Sequence, residues 1–447
     1  MKSVYAIIDL ILLTLLVIRQ IKVWKARVFL SPGFYFGIMW FLGVFGLLTF
    51  SITGLFTEVY SEYIDELNIL IGFTALCFLL FTNRGRDKIN EQVVDADFIN
   101  WRVFKLLSVI FFIAALIDFV RLGGNLNMGM AREKVHLIQE SRPLWISYIE
   151  TLSVPLSIWA GYKIILLPKS RYKQKIIRVI FLCIPLFGNL IFSINVGGRV
   201  DFVFAFAAYM AGVAFGIPIS QTFKRNLKPL LIISGSSLVV LIFISYVASQ
   251  RASYYKGSIS DTENYFNNKY PVLSFLYGPI EYVQTTYIGY QYRRVDAVDL
   301  EHLGYGQYTF NGFINWTLPF SNQLGLGDAS IAKVFDIYYH NQETYDYIRP
   351  AYNSTHSCYL TMIKDYGVVG SFVCVFFLAL VAHDLFVNIQ KRSKIKSACS
   401  LYVFFLFWNY WTHSNFYGTL SSSVLINLYG FLIIDFFVFI LPFRIKV

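Results

Sequence analysis

Apolar stretches of about twenty residues, separated by short polar segments, dominate the sequence; that length of helix crosses the hydrocarbon core of a bilayer. The pattern predicts about eleven spans, with approximate bounds 3–20, 33–54, 66–82, 103–121, 144–167, 176–195, 200–219, 228–248, 367–388, 397–414 and 420–442. Only one polar segment is long. The chain therefore divides into spans 1–8 (1–248), a long loop (249–366) and spans 9–11 (367–447).

Composition supports the same all-α, polytopic membrane architecture. The 447 residues are 56% hydrophobic and only 15% charged, which is too apolar for a soluble protein of this length. The net charge of +11 suggests nucleic acid at first sight. In so apolar a chain, orientation within a bilayer explains the charge better, and we expect no nucleic-acid partner.

Lys and Arg concentrate after the odd-numbered spans, in segments such as "RQIKVWKAR", "KSRYKQKIIR" and "QKRSKIK". The positive-inside rule places those segments in the cytoplasm. The prediction is a multi-pass protein of a bacterial inner membrane with a periplasmic N-terminus, a cytoplasmic C-terminus and an extracytoplasmic long loop. The first apolar run lacks a small-residue cleavage site, and we interpret it as a retained span.

Several kinds of catalytic site are absent from the sequence. No GxxxxGK[ST], HExxH, paired CxxC or GxSxG motif occurs, so we expect neither a nucleotide-driven engine nor a metal or other cofactor. The acids after the second span lack the carboxylate-x-carboxylate spacing of metal-using lipid-linked glycosyltransferases. The favoured interpretation is a solvated negative loop, formed by Glu58, Glu62, Asp65 and Glu66.

Ionisable residues inside predicted spans often mark a transport path. Each of those found here lies near a span end, and we expect it either to stand alone or to be hydrogen-bonded within the bundle: Asp9, Asp118, Glu150 and Asp435. No row of such residues runs along several helices. A proton-coupled transporter is therefore disfavoured.

The long loop contains two amphipathic helix candidates. "YPVLSFLYGPIEYVQTTYIGYQYRR" is predicted either to lie on the membrane surface or to tuck into the bundle, and "GLGDASIAKVFDIYYHNQ" is shorter. Between them lies the aromatic, loop-like segment "GYGQYTFNGFINWTLPFSNQLG". Any chemistry is expected in this loop and in the short outer loops near it.

Arginines on the predicted outer side are candidate ligands for a lipid diphosphate, because the planar guanidinium stays charged and binds phosphate in a forked geometry. Arg199 follows two glycines in "INVGGRVDF", and Arg251 opens the long loop. Glycine allows the backbone to approach an anion closely. Further candidates are Arg132, Arg293, Arg294 and Arg349. The simpler explanation for each is snorkelling or a salt bridge with an acid such as Asp201 or Glu133.

One histidine stands directly before the ninth predicted span, in "THSCYLTMIKDYGVVG". A neutral imidazole at His356 can accept a proton from a sugar hydroxyl as that hydroxyl attacks. The alternative is a surface or hydrogen-bonding histidine, as we expect for His136, His302 and His340.

The same stretch resembles the His-x-x-x-Leu and Gly-x-x-Gly signature that closes the large periplasmic loop of O-antigen polymerases and O-antigen ligases. "INVGGRVDF" and "GYGQYTFNGFINWTLPF" are similar to segments of the oligosaccharide repeat-unit polymerases (Wzy-type). The resemblance covers the topology and about three short motifs. It implies a metal-independent glycosyltransferase of the GT-C type that acts in lipopolysaccharide biosynthesis.

The resemblance also implies substrates, partners and residue roles. Donor and acceptor would both be glycans on undecaprenyl diphosphate, and a chain-length-regulating co-polymerase would be a partner. Arg199 and Arg251 would bind the diphosphate, and His356 would be the base. The candidate substrate-binding set is completed by Arg132, Arg293, Arg294, Arg349, Tyr359 and Asp201. Arg293 with Gly304 fits an Arg-x10-Gly spacing described for some members.

Three alternatives remain open. A ligase would share the topology and would transfer finished glycan to a lipid A-core acceptor that the sequence does not name. A lipid-linked oligosaccharide flippase would show two pseudo-equivalent halves and short outer loops, which the long loop disfavours. A membrane scaffold without activity would leave the outer arginines dispensable.

Overall fold

The computed structural model describes the transmembrane part more fully than the long loop. Its described residues are 4–53, 61–89, 91–122, 142–167, 172–195, 200–219, 357–414 and 422–439, with short pieces at 235, 268, 286–287, 289–291, 294, 303–306 and 308–310. Throughout these ranges the regular structure is helical and no β-strand occurs. The predicted all-α class is therefore confirmed for this part of the chain.

Eleven α-helices have both ends within the described ranges and are numbered in chain order. They are α1 (Val4–Trp24), α2 (Pro32–Thr53), α3 (Ser61–Phe81), α4 (Trp101–Arg121), α5 (Leu144–Glu150), α6 (Ser153–Ile165), α7 (Tyr172–Asn195), α8 (Val200–Phe215), α9 (Cys358–Lys391), α10 (Cys399–Asn409) and α11 (Ser422–Phe439). A 3₁₀-helix, Lys25–Leu30, follows α1, and a π-helical turn, Tyr410–Ser414, follows α10.

Five helical segments in the described ranges are long and apolar enough to cross a membrane: Val4–Leu30, Glu62–Phe81, Trp101–Arg121, Ile176–Asn195 and Cys358–Lys391. Shorter apolar helices cover Pro32–Leu48, Phe202–Phe215 and Asn427–Phe439. The predicted fifth span, 144–167, is divided into α5 and α6. Apart from Gly235, the predicted eighth span lies outside the described residues.

One end of the bundle is built from segments that the charge pattern assigns to the same side. The guanidinium of Arg27 donates to the carbonyl of Gln92. The backbone of Asp95 bonds that of Ser393 (N···O 3.0 Å), and Lys163 pairs with Asp97. The segments that follow predicted spans 1, 3 and 9 and the last turn of α6 therefore meet, as an alternating topology requires.

A very close contact between helices of the described ranges joins α6 and α8. A Cβ built on Gly161 would lie 2.0 Å from the carbonyl oxygen of Tyr209, and one on Gly212 would lie 1.9 Å from that of Ile158. Both separations are far below van der Waals contact. Small residues let membrane helices approach this closely, so the two glycines set the distance between α6 and α8.

We therefore predict that Gly161→Ala and Gly212→Ala each destabilise the protein by about 1–3 kcal/mol, the range for overpacking a tight interior. The measurement is the apparent midpoint of thermal unfolding in detergent. Gly235→Ala is the control, because no atom of the described residues lies within 4 Å of its added methyl group. Equal midpoints for all three variants would contradict the assignment.

Candidate functional site

Most residues of the predicted site lie outside the described ranges: His356, Arg199, Arg251, Arg132, Arg293 and Arg349. Asp201 is described only as a backbone position of α8. The side chains of Arg294 and Tyr359 are described, and both are buried. Arg294 and Tyr359, with the elements that flank the other positions, therefore form the described part of the candidate site.

The sequence after His356 forms a short buried helix instead of a polar approach to a span. It begins at Cys358, nine residues before the predicted start of the ninth span, and residues 357–365 are all buried. Ser357 has a φ of 71° and accepts the N–H of Tyr359 at 3.2 Å. We call residues 358–366 the half-helix.

Gly367 separates the half-helix from the rest of α9. Its φ of 69° and ψ of 177° lie outside the helical region and favour glycine. A Cβ on Gly370 would meet Cβ of Tyr366 at 2.6 Å, so the second glycine gives the chain room to bend. These two positions are the Gly-x-x-Gly of the sequence motif, and their physical role is the break.

The break brings both parts of α9 against the same level of α3. The hydroxyl of Tyr359 lies 2.7 Å from that of Thr74, and the ring of Phe372 lies 5.0 Å from that of Phe73. Thirteen residues of unbroken helix would extend about 20 Å. The predicted span 367–388 is thus only the second part of a longer, broken element.

Tyr359 was predicted to bind substrate, and here its hydroxyl binds Thr74. The residue is fully buried, and its ring lies 6.2 Å from that of Trp40. Its observed role is to hold the half-helix on α3. A contact between Tyr359 and substrate stays a prediction.

Arg294 is held by an acid, the simpler of the two explanations that the sequence offered. Its Nε lies 2.8 Å from Oε1 of Glu66, and the guanidinium covers the ring of Tyr63 at 5.1 Å. Tyr290 donates to the same carboxylate at 2.6 Å. Burial alone would lower the pKa of Arg294, but the hydrogen bonds and charge of Glu66 reverse that effect and raise it.

This arrangement corrects one expectation and resolves another. Glu66 is not part of a solvated acidic loop, because its side chain is only 19% exposed and bonds Arg294 and Tyr290. The first loop helix was expected either on the membrane surface or within the bundle. Its described residues are buried, and Tyr287 donates to Asn68 at 3.0 Å, so this part is tucked into the bundle.

Asp365 fastens the segment 303–310 to the half-helix. Its two carboxylate oxygens accept the N–H groups of Tyr308 (3.1 Å) and Thr309 (2.6 Å). Two backbone bonds continue the contact: the N–H of Gly304 donates to the carbonyl of Lys364, and that of Tyr305 to the carbonyl of Asp365. We call these four bonds the latch.

The fit at the latch leaves no spare space. A Cβ on Gly304 would lie 2.4 Å from Oδ1 of Asp365, so only glycine allows this approach. The ammonium group of Lys364 lies 4.0 Å from the centre of the Tyr308 ring, a cation–π contact. The latch therefore joins the aromatic loop segment and the histidine motif, which the sequence shows only as separate signals.

A second polar network joins α4, α5 and α7. Arg142 pairs with Asp118 at 2.6 Å and with Glu150 at 2.5 Å, and Arg121 also contacts Asp118. Asn195 donates to Asp118 at 3.1 Å. Burial opposes the charge on Arg142, but the charges of Glu150 and Asp118 outweigh burial and raise its pKa.

This network confirms hydrogen bonding within the bundle for two of the ionisable residues, Asp118 and Glu150. Asp435 behaves likewise, because it accepts the N–H groups of Ala398 and Cys399 at the start of α10. Asp9 differs: it is 2% exposed, and one carboxylate oxygen has no hydrogen-bond partner within the described residues.

Sequence reasoning missed Thr74, Asp365, Arg142 and Asn195. A usable signal existed for the loop helix, because Tyr287, Tyr290 and Arg294 recur at helical spacing and share one face. For the others the signal was weak, since each acquires its role from a partner on a distant element. Among the described residues, no group of three or more His, Cys, Asp or Glu side chains could hold a metal ion.

Comparison with known proteins gives no independent identification, because no family model, curated protein or solved structure matches this chain.

We predict that Arg294→Ala destabilises the protein by about 3 kcal/mol, because it leaves the Glu66 carboxylate without its cation in a largely buried site. Arg84→Ala is the matched control, because its ion pair with Asp384 is exposed: the side chains are 56% and 43% accessible. Exposed pairs of this kind contribute only about 0–1 kcal/mol to stability. The apparent midpoint of thermal unfolding in detergent measures the stability of both variants. The double variant Arg294→Met with Glu66→Gln should recover part of the loss, and a larger loss in that variant would contradict the pairing.

Proposed function

We propose that the chain polymerises undecaprenyl-diphosphate-linked oligosaccharide repeat units into an O-antigen-type polysaccharide at the periplasmic face of a bacterial inner membrane. In this proposal eleven helices span the membrane, the N-terminus is periplasmic, the C-terminus is cytoplasmic, and residues 249–366 form the extracytoplasmic loop. The fold would be of the GT-C type. Donor and acceptor are both lipid-linked glycans, and a co-polymerase regulates chain length.

The observation that carries the proposal is the unit formed by the long loop and the histidine motif. His356 directly precedes Ser357 and the half-helix, and the latch ties that half-helix to the segment 303–310. A candidate base next to a rigid, buried element has the support that a catalytic group needs. The two segments that the latch joins belong to two of the three motifs that resemble a polymerase, "THSCYLTMIKDYGVVG" and "GYGQYTFNGFINWTLPF".

The proposed reaction needs little from the protein besides alignment and charge. The acceptor hydroxyl oxygen bonds to the anomeric carbon of the donor, and the bond from that carbon to the diphosphate oxygen breaks. The hydroxyl proton passes to His356, and undecaprenyl diphosphate departs with the bonding electron pair. Arg199 and Arg251 stabilise the charge on that leaving group, which is why no nucleotide or metal is required.

The α4–α5–α7 network supports the place of Arg199 in this scheme. Asn195 ends α7, and its bond to Asp118 fixes that end of the helix. Arg199 follows four residues later in the sequence, directly after Gly197 and Gly198. The network thus fixes the end of α7 from which the segment carrying Arg199 continues. In the proposal this segment binds the anionic diphosphate.

We predict that Arg199→Ala and His356→Ala leave the protein inserted but limit surface glycan to a single repeat unit per core. Lipopolysaccharide gels of strains that carry each variant measure this. Arg199→Lys should restore long chains poorly, because an ammonium group lacks the forked geometry. Long-chain ladders from both alanine variants would contradict the assigned roles.

A deletion strain separates the alternatives on the same gel. Single-repeat caps identify a polymerase. Uncapped core with accumulated lipid-linked polymer identifies a ligase, and the absence of outward-facing lipid-linked units identifies a flippase. A normal ladder would identify none of these activities and would favour a scaffold.

The topology has its own test. In a variant whose five native cysteines are replaced, Ser260→Cys should react with a membrane-impermeant maleimide in intact spheroplasts. Lys88→Cys, at an exposed position on the predicted cytoplasmic side, should react only after lysis. The reverse pattern would place the long loop in the cytoplasm and would overturn the proposal.

A further inference from the structure

Tyr305 is an exposed aromatic residue in a costly backbone conformation. Its side chain is 81% exposed, and its φ is 50°, in the left-handed region. For a residue with a Cβ this conformation costs about 1–2 kcal/mol. Because the ring is exposed, packing within the protein does not offset that cost. Glycine or asparagine would serve the fold better at this position.

The surrounding contacts hold Tyr305 in this conformation. Its N–H donates to the carbonyl of Asp365 at 3.1 Å, and the preceding Gly304 and the nearby Tyr308 are fixed by other bonds of the latch. Gly306, on its other side, has a φ of 99°, and a Cβ there would lie 2.9 Å from the hydroxyl of Tyr366. The ring is therefore presented from a rigid, tightly packed base.

Backbone strain that the surrounding structure maintains tends to occur at functional sites. A tyrosine held in this way offers a large amphipathic surface at low entropic cost, because few of its torsions remain to be fixed on binding. One face can pack against the C–H groups of a sugar ring while the hydroxyl stays in water. The latch ties this ring to the half-helix, which begins two residues after His356.

We propose that Tyr305 is a stacking platform for a sugar ring of the acceptor glycan. This inference rests on the proposed function and deepens it, since it assigns part of the acceptor subsite to the segment 303–310. The competing explanation is that the ring sits at the headgroup level of the bilayer, where tyrosine is also common. The two explanations require different things of the side chain: stacking requires an aromatic face, whereas lipid contact requires only an apolar group.

The test compares Tyr305→Phe, Tyr305→Trp, Tyr305→Leu and Tyr305→Gly in the full-length protein in detergent. The probe is the oligosaccharide released by mild acid from the carrier lipid of the deletion strain, and calorimetric titration measures its affinity. Phe and Trp should keep the affinity within about threefold, whereas Leu and Gly should weaken it about tenfold. Tyr5→Leu, at an exposed tyrosine of α1, is the control and should match the unmodified protein.

Thermal unfolding separates loss of binding from loss of fold. Tyr305→Gly relieves the backbone strain, so its midpoint should equal or exceed that of the unmodified protein although its affinity falls. Full affinity in the Leu variant would overturn the proposal and would assign the ring to the membrane surface. No measurable binding by the unmodified protein would also overturn it. The gel of the deletion strain tests polymerisation separately, so failure of the stacking platform and failure of the proposed function remain distinguishable.

Discussion

Polar side chains inside a helix bundle surrounded by hydrocarbon need partners from the protein itself, and α3 shows how this chain supplies them. Glu66, Asn68 and Thr74 lie within the first four turns of a helix that is apolar enough to span a membrane. Glu66 bonds Arg294 and Tyr290, Asn68 bonds Tyr287, and Thr74 bonds Tyr359. Each of these partners lies more than 200 residues further along the sequence. The polar positions of α3 thus define where the long loop and the half-helix attach.

A continuous series of contacts connects α3, the half-helix and the segment 303–310. Thr74 holds the half-helix through Tyr359, and Asp365 at the other end of the half-helix holds the segment 303–310. The break at Gly367 allows the half-helix to lie beside the remainder of α9 instead of extending it. The half-helix, which begins two residues after the candidate base in the sequence, and the exposed ring of Tyr305 therefore share one rigid support. In the proposed scheme this support keeps the base and the acceptor in register.

The length of the apolar runs predicted the ends of α3, α4 and α7 to within a few residues. A membrane span has one dominant physical requirement, an apolar helix about twenty residues long. The half-helix escaped prediction because "THSCYLTMIKD" has the polarity of a loop, and its burial depends on Thr74 and the latch. Glu66 was misinterpreted for the same reason: its partner Arg294 lies 228 positions away. Local pattern identifies elements that are stabilised by their own composition, and it fails where a distant partner supplies the stability.

The described arginines near the predicted outer end are balanced by acids, and this balance restricts where an anionic substrate can bind. Arg121 and Arg142 face Asp118 and Glu150, and Arg294 faces Glu66. A diphosphate that took one of these guanidinium groups would have to displace a carboxylate and remove a cation from it in a site largely shielded from water, at a cost of several kcal/mol. The paired arginines are therefore better suited to fixing the helices than to binding an anion. In the proposed scheme the diphosphate is bound by Arg199 and Arg251, which lie outside the described residues.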